Sequence, residues 1–236
     1  IMGLALTGGF TWNTGYRIIC MMQILLTAIV ILSLPLWKRS PALTGGQEEE
    51  TAGEILPLSR IFHIPGAAEI MITFFCYCGL EQTVGLWAGS FLKLCRDMSP
   101  ERAAKWASLY YIGITVGRGL CGFIADRYSD SQMIRAGSLA TLFGIVLLAL
   151  PFGWFSDLAG LIIIGLGCAP FLFGAEKTKT LIGVQLASAY GGYLILPPLF
   201  GLIANHIHPV LFPLYIAIVL AVMLVMFEKT CKKCRP

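Results

Sequence analysis

Charge is scarce in this sequence. Asp, Glu, Lys and Arg make up 13% of 236 residues, where a soluble domain carries roughly 25%, and the mean hydropathy is +0.78. That excludes an ordinary soluble domain and leaves the bilayer as the solvent for most of the chain. Histidine is scarce as well, with three residues, and neither H-E-x-x-H nor G-x-S-x-G occurs. An intramembrane enzyme would need such a nucleophile–base pair or a metal cluster, so enzymatic chemistry is not expected. A basic n-region with a small-residue cleavage site is also missing from the opening residues, and no signal peptide is expected there. Cysteine is present, eight in all, but most of it lies in apolar runs and behaves as a small hydrophobe. Cys231 and Cys234 form a C-x-x-C pair with no second pair or His cluster beside it, so a zinc site lacks ligands. Among Lys229, Lys232, Lys233 and Arg235 such a juxtamembrane pair could accept a lipid only in a eukaryote. The net charge of +4 sits in short loops and at the C-terminus, where it reads as a set of topology determinants rather than a nucleic-acid surface. No cofactor, metal or nucleic acid is expected.

What the sequence has in quantity is long apolar runs, with 26 glycines and 12 prolines spread through them as membrane helices tolerate. A span needs about 20 apolar residues. The candidates are Ile18 to Trp37, Ile70 to Leu92, Ala103 to Ile124, Ala136 to Phe155, Leu158 to Phe173, Leu181 to Ala204 and Val210 to Phe227. The expected fold is therefore an all-α, polytopic membrane bundle of about six to seven transmembrane helices. Residues Ile1 to Phe10 are apolar but too short to span and read as the tail of an earlier helix. Ser99, Pro100 and Glu101 place a capping hydroxyl, an N1 proline and an acid at the entry to one span. Pro197 and Pro198 predict a kink in another. Leu158 to Phe173 is short, since sixteen residues reach only about 24 Å of a roughly 30 Å core. Counting Lys and Arg in alternate loops puts eleven on one side and five on the other, and the richer side, which includes the C-terminus, should be cytoplasmic. Residues 38–64, with Gly45, Gly46 and Glu48 to Glu50, then form a polar cytoplasmic linker between two bundles.

Glu81 lies eleven residues from either end of its predicted span, about 16 Å deep. A bare carboxylate there costs several kcal/mol, so it should face the bundle interior, hold a proton part of the time or pair with a donor. Solute or proton binding is the functional reading, with Gln82 and Trp87 nearby on the same helix; a purely structural hydrogen bond is the other. Tyr110 and Tyr111 on the next span, and Gln185, Ser188 and Tyr190 on the penultimate one, are further binding candidates. Polar side chains at that depth face protein or a cavity. For Gln185 and Ser188 an interhelical hydrogen bond serves equally well, and the tyrosines can simply pack. Trp37 suits an interfacial aromatic belt, and His206 and His208 a short external turn.

From Gly117 to Arg127 the sequence reads G-R-x-x-x-G-x-x-x-D-R across the end of one span and the turn after it. Gly113, Gly117 and Gly122 permit close helix approach, and Asp126 can meet a helix N-terminus or an arginine at the membrane surface. In the alternative reading Asp126 and Arg127 merely solvate the turn while Arg118 snorkels to the headgroups. The segment resembles the loop motif of the major facilitator superfamily, G-x-x-x-D-R/K-x-G-x-R/K-R/K. Gly122, Asp126 and Arg127 match it. Ser129 stands where the motif has Gly, and Ser131 and Gln132 where it has basic residues. Glu81 to Trp87 and Gly183 to Tyr190 also look like bacterial members near the fucose-permease-like branch. The resemblance implies that residues 1–37 are the end of an N-terminal bundle (end of helix five, helix six), 38–64 the central linker, 65–230 a C-terminal six-helix bundle and 231–236 a basic cytoplasmic tail. Relatives continue for several turns after a Gly-Cys-Ala-Pro segment. Here Gly167 to Pro170 runs almost at once into Gly174 to Lys177, which implies a deletion at the same place where the span is short. The function implied is secondary transport in a cell inner membrane by alternating access, moving a small polar solute, sugar-like or an organic acid, with protons. The gate would be formed by Gly117, Arg118, Gly122, Asp126 and Arg127, and the missing N-terminal bundle would be the partner. Efflux of amphipathic compounds and a truncated, non-transporting receptor or remnant are the competing readings.

Overall fold

The computed structural model describes residues 12–37, 66–125, 127–150, 152–169 and 182–233. The opening residues, the linker at 38–64, Asp126, the segment after Ala169 where a deletion is implied, and the end of the basic tail lie outside the described residues. The chain divides into two units, Ile1–Glu54 and Ile55–Pro236. The first contains α1, Trp12–Trp37. It starts six residues before the apolar run used to locate it, and its stretch Asn13–Leu34 is long and apolar enough to cross a membrane.

The second unit contains α2 (Ala67–Cys95), α3 (Pro100–Ile124), α4 (Asp130–Ala149), α5 (Trp154–Cys168), α6 (Ile182–His206), a 3-10 turn at Pro209–Leu211, and α7 (Phe212–Lys233). No strand occurs among the described residues. Five of these helices reach spanning length; α5, with 15 residues, does not.

Three boundaries differ from the sequence expectation for local reasons. The fourth span starts at Asp130 rather than Ala136 because Ser129 and Gln132 form a reciprocal capping box. Gln132 N–H donates to Ser129 Oγ at 3.4 Å, and Ser129 N–H to Gln132 Oε1 at 3.2 Å. The same span stops at Ala149 rather than Phe155. Gly153 adopts φ +95° and N-caps α5, so Trp154 and Phe155 open the next helix. At the entry to α3, Ser99 does occupy the N-cap with Pro100 after it, but its hydroxyl makes no capping hydrogen bond. Helix α6 is continuous through Pro197 and Pro198. Carbonyls beside them take side-chain donors, Tyr215 on Leu196 at 2.8 Å and Trp87 on Pro197 at 3.1 Å.

Within this unit α2 packs against α3, α6 and α7, while α5 packs between α3 and α4. Glycine sets these crossings. A Cβ at Gly192 would lie 2.0 Å from the Phe75 carbonyl oxygen, one at Gly165 2.3 Å from that of Tyr110, and one at Gly160 2.8 Å from that of Gly144. Backbones this close gain dispersion and Cα–H···O contacts, which drive helix association where lipid removes the hydrophobic term. The core that results is apolar, with Leu80, Val84, Leu92, Tyr110, Leu148, Leu161, Phe200, Phe212 and Ile216 almost wholly buried. Leu139, Phe143, Phe123 and Leu194 are exposed, as residues in contact with lipid are.

Candidate functional site

Glu81 stands fourteen residues from each end of α2, about 21 Å along the helix from either. It is not bare. Tyr77, one turn earlier on the same face, donates its hydroxyl to Glu81 Oε2 at 2.7 Å, and Arg118 Nη2 on α3 donates to Oε1 at 3.2 Å. Tyr110, fully buried on α3, donates its hydroxyl to the Glu81 backbone carbonyl at 3.1 Å. Cys168 on α5 lies beside the Tyr110 hydroxyl, and Tyr193 on α6 lies beside Cys78. The carboxylate is thus held between α2 and α3 with a cation on one oxygen and a phenol on the other, an arrangement that offsets the cost of an acid at that depth.

The structure brings together Glu81, Tyr110 and Arg118 from the sequence candidates. Tyr111 lies beside them: it is exposed, its hydroxyl sits against Gly85 one turn from Glu81, and its ring meets Tyr110 at 5.3 Å. Other candidates lie elsewhere. Trp87 bonds to Pro197 and packs edge-on against Phe200 at 5.3 Å, a structural contact between α2 and α6. Gln82, Gln185, Ser188 and Tyr190 make no hydrogen bond to Glu81 among the described residues; Gln185 is buried in α6, while Tyr190 is exposed and meets Tyr193 edge-on.

The motif residues divide in the same way. Gly117 packs on Leu166 of α5 and on Ala169 at its C-cap as close approach requires, but Gly122 is exposed and meets nothing within 4 Å, so it brings no described helix close. Arg118 turns inward to Glu81 rather than out to the headgroups. Arg127 is exposed in the turn. His208 serves the turn after α6, its Nδ1 accepting from Val210 N–H at 3.2 Å, while His206 ends α6 with its Nδ1 3.0 Å from the Leu202 carbonyl oxygen.

Two features were missed in the sequence. Tyr77 was readable, since Tyr and Glu four apart share a helix face. Asp157 falls between the expected spans Ala136 to Phe155 and Leu158 to Phe173, yet it is 1% exposed in the first turn of α5. Arg96 Nε reaches its two oxygens at 3.0 and 3.1 Å, and Arg96 Nη2 donates to the Leu148 carbonyl at 2.9 Å. That pair ties the ends of α2 and α4 to the start of α5. At the opposite ends of the helices, Glu69 pairs with Lys233 and Arg135 with Glu228.

These helices make the chain a multi-pass membrane protein. Its fold is that of the major facilitator superfamily. The crystal structure of the superfamily transporter FucP in the outward conformation matches it with a TM-score of 0.65 at 18% sequence identity, over 95% of this chain and 55% of that one. In sequence the chain is 25% identical over 192 residues to an uncharacterized MFS-type transporter of Yersinia pestis, covering 77% of this chain and 48% of that protein. The chain therefore spans about half the length of the relatives it matches. No protein-family model matches it. The resemblance first read at Gly122, Asp126 and Arg127 is borne out by the fold and by this similarity.

Proposed function

We propose that this chain supplies one bundle of a secondary transporter of the major facilitator type, which moves a small polar solute, sugar-like or an organic acid, together with protons by alternating access. One observation carries the reading: an ionisable residue, Glu81, at the middle of a spanning helix, held by Arg118, Tyr77 and the backbone contact of Tyr110. An acid at that depth is retained against its cost where it binds or carries something. The similarity to an MFS-type transporter adds to this, while substrate and coupling rest on the site alone. Under this proposal residues 65–230 are the bundle, 38–64 the cytoplasmic linker and 1–37 the end of a second bundle. The C-terminus is cytoplasmic in an inner (plasma) membrane, and the turn at Asp126 and Arg127 gates the cytoplasmic side.

The test is solute-driven proton movement in proteoliposomes containing the full-length native protein. Wild type should acidify or alkalinise the lumen when its solute is added, and Glu81→Gln should abolish that movement while still inserting. Unchanged proton movement and pH profile in Glu81→Gln would remove the proposed role of this residue. Absence of any solute flux would favour a non-transporting receptor.

A further inference from the structure

The pair made by Glu81 and Arg118 is asymmetric. Glu81 is 15% exposed and bonded through both oxygens, whereas the Arg118 side chain is 42% exposed and uses a single Nη2 contact. A guanidinium has five N–H donors, and the others have no acceptor among the described residues. Six residues, about 9 Å, separate Arg118 from the end of α3 at Ile124, close enough to reach the headgroups, yet it turns toward mid-membrane.

Its surroundings show which way its open side faces. Ile112, Val116, Leu120 and Phe123 form one exposed stripe of α3, apolar throughout; Tyr111, Thr115, Arg118, Gly119 and Gly122 form another, polar or small. The first suits lipid. The second suits a wet path, and Arg118 is its single charge.

We propose that Arg118 is the solute receptor of this site and that the solute is a small carboxylate. This rests on the transporter reading and narrows it. A planar guanidinium fits a carboxylate through two parallel bonds. The acceptor that competes for it is Glu81. When a proton binds Glu81 at Oε1, the bond to Arg118 breaks and the incoming carboxylate takes its place on the guanidinium. Tyr77 keeps its hydrogen bond to Oε2, so the protonated side chain stays where it is. Arg118 and Glu81 carry zero net charge before the exchange. Arg118, neutral Glu81 and the bound anion also carry zero after it, so one anion and one proton cross together with no net charge. The other titratable groups facing Glu81 are Tyr77 and Cys78 on α2, Tyr110 on α3, Cys168 on α5 and Tyr193 on α6. All are phenols or thiols, neutral at physiological pH, which leaves Glu81 as the group that accepts the proton.

The experiment is thermal protection of the full-length protein in detergent by gluconate and lactate, set against glucose and glycerol, at acidic and at neutral pH. The two carboxylates should protect, more strongly at acidic pH, and the two neutral solutes should not. In Glu81→Gln, which imitates the protonated acid, protection should become equal at both pH values. Arg118→Gln alone leaves Glu81 unpaired and risks misfolding. The double variant Glu81→Gln with Arg118→Gln keeps the site neutral, and its apparent affinity for the carboxylates should fall by about tenfold or more. Carboxylate protection that survives in the double variant, or protection by the neutral solutes alone, overturns the inference, as does no protection by either carboxylate. Proton movement driven by a neutral sugar would leave the transporter reading standing while removing this one. Carboxylate protection without any flux would remove the transporter reading and the coupled crossing, leaving Arg118 as a carboxylate receptor alone.

Discussion

Arg96 and Asp157 offer the sharpest test of how the bundle is held, because the pair is buried on one side and reachable by water on the other. The Asp157 side chain is 2% exposed and that of Arg96 21%. Removing one partner of a buried pair costs about 3–5 kcal/mol, since an uncompensated charge remains. The partial exposure of Arg96 lets water reach the vacated site, so Arg96→Ala should fall at the low end, about 3 kcal/mol. Part of that loss comes from the Leu148 and Leu150 carbonyls, which Arg96 also contacts at 2.9 and 3.4 Å. Asp157→Asn keeps the shape and one acceptor for the guanidinium, and should cost about 1–2 kcal/mol. Replacing both with apolar residues of similar volume, Arg96→Met with Asp157→Leu, removes the charge and its partner together and should stay within about 1 kcal/mol of wild type. Reversible unfolding of the full-length protein in mixed micelles, driven by a denaturing detergent, measures all three. The ordering is the test. If Arg96→Ala is as mild as the double apolar variant, Asp157 is not a buried charge in need of its partner, and the reasoning fails.

The same unfolding assay checks two other features. A methyl at Gly192 or Gly165 would push into the facing backbone, so Gly192→Ala and Gly165→Ala should each destabilise by about 1–3 kcal/mol, whereas Gly122→Ala, facing open space, should stabilise by about 0.5–1 kcal/mol. Equal effects at all three would refute the assignment of close crossings. Ser129→Ala should cost about 1 kcal/mol by removing half of the capping box at the start of α4, and no loss would mean that the box contributes nothing.

The spans were legible because membrane helices announce themselves by length and apolarity, which do not depend on tertiary context. The depth of Glu81 was legible for the same reason, since counting residues along a helix gives a distance. Its partner was not. Glu81 and Arg118 are 37 positions apart, and which residues meet depends on how two helices are rotated about their axes. In a soluble helix the apolar stripe fixes that rotation; here both the lipid-facing and the buried sides are apolar, as Phe123 and Ile114 on α3 illustrate. Asp157 escaped notice because an acid following Trp154, Phe155 and Ser156 reads as a turn when the preceding span is drawn through to Phe155. The break at Gly153 requires a backbone angle that the letters alone do not reveal. Ser129 and Gln132 were noted only as departures from a family motif, although their spacing is that of a capping box.

Helix α3 joins the two halves of the proposed mechanism without any chain of intermediate side chains. Upstream of Arg118 it is pinned to α5, through Gly113 against Ile162 and Gly165 and through Gly117 against Leu166 and Ala169. Downstream, Gly119 and Gly122 have nothing within 4 Å, so the last turns of α3 have no glycine-mediated close contact with a described neighbour. Arg118 sits just past the glycine-pinned stretch, the last turn of α3 packs through Cys121 and Ala125 against Met133 and Ala169, and the turn that carries Arg127 follows directly. An α-helix is stiff over this length, so a shift of α3, together with the α5 it is pinned to, moves the turn and Arg118 as one. Glu81 sits on a different helix and does not share that displacement, while the bond between the two is a single contact of 3.2 Å. A small motion at the cytoplasmic turn is then enough to lengthen it past hydrogen-bond range. Under the proposed function, opening the gate and releasing Arg118 from Glu81 become one movement, and the state of protonation at Glu81 biases the gate by the same contact in reverse.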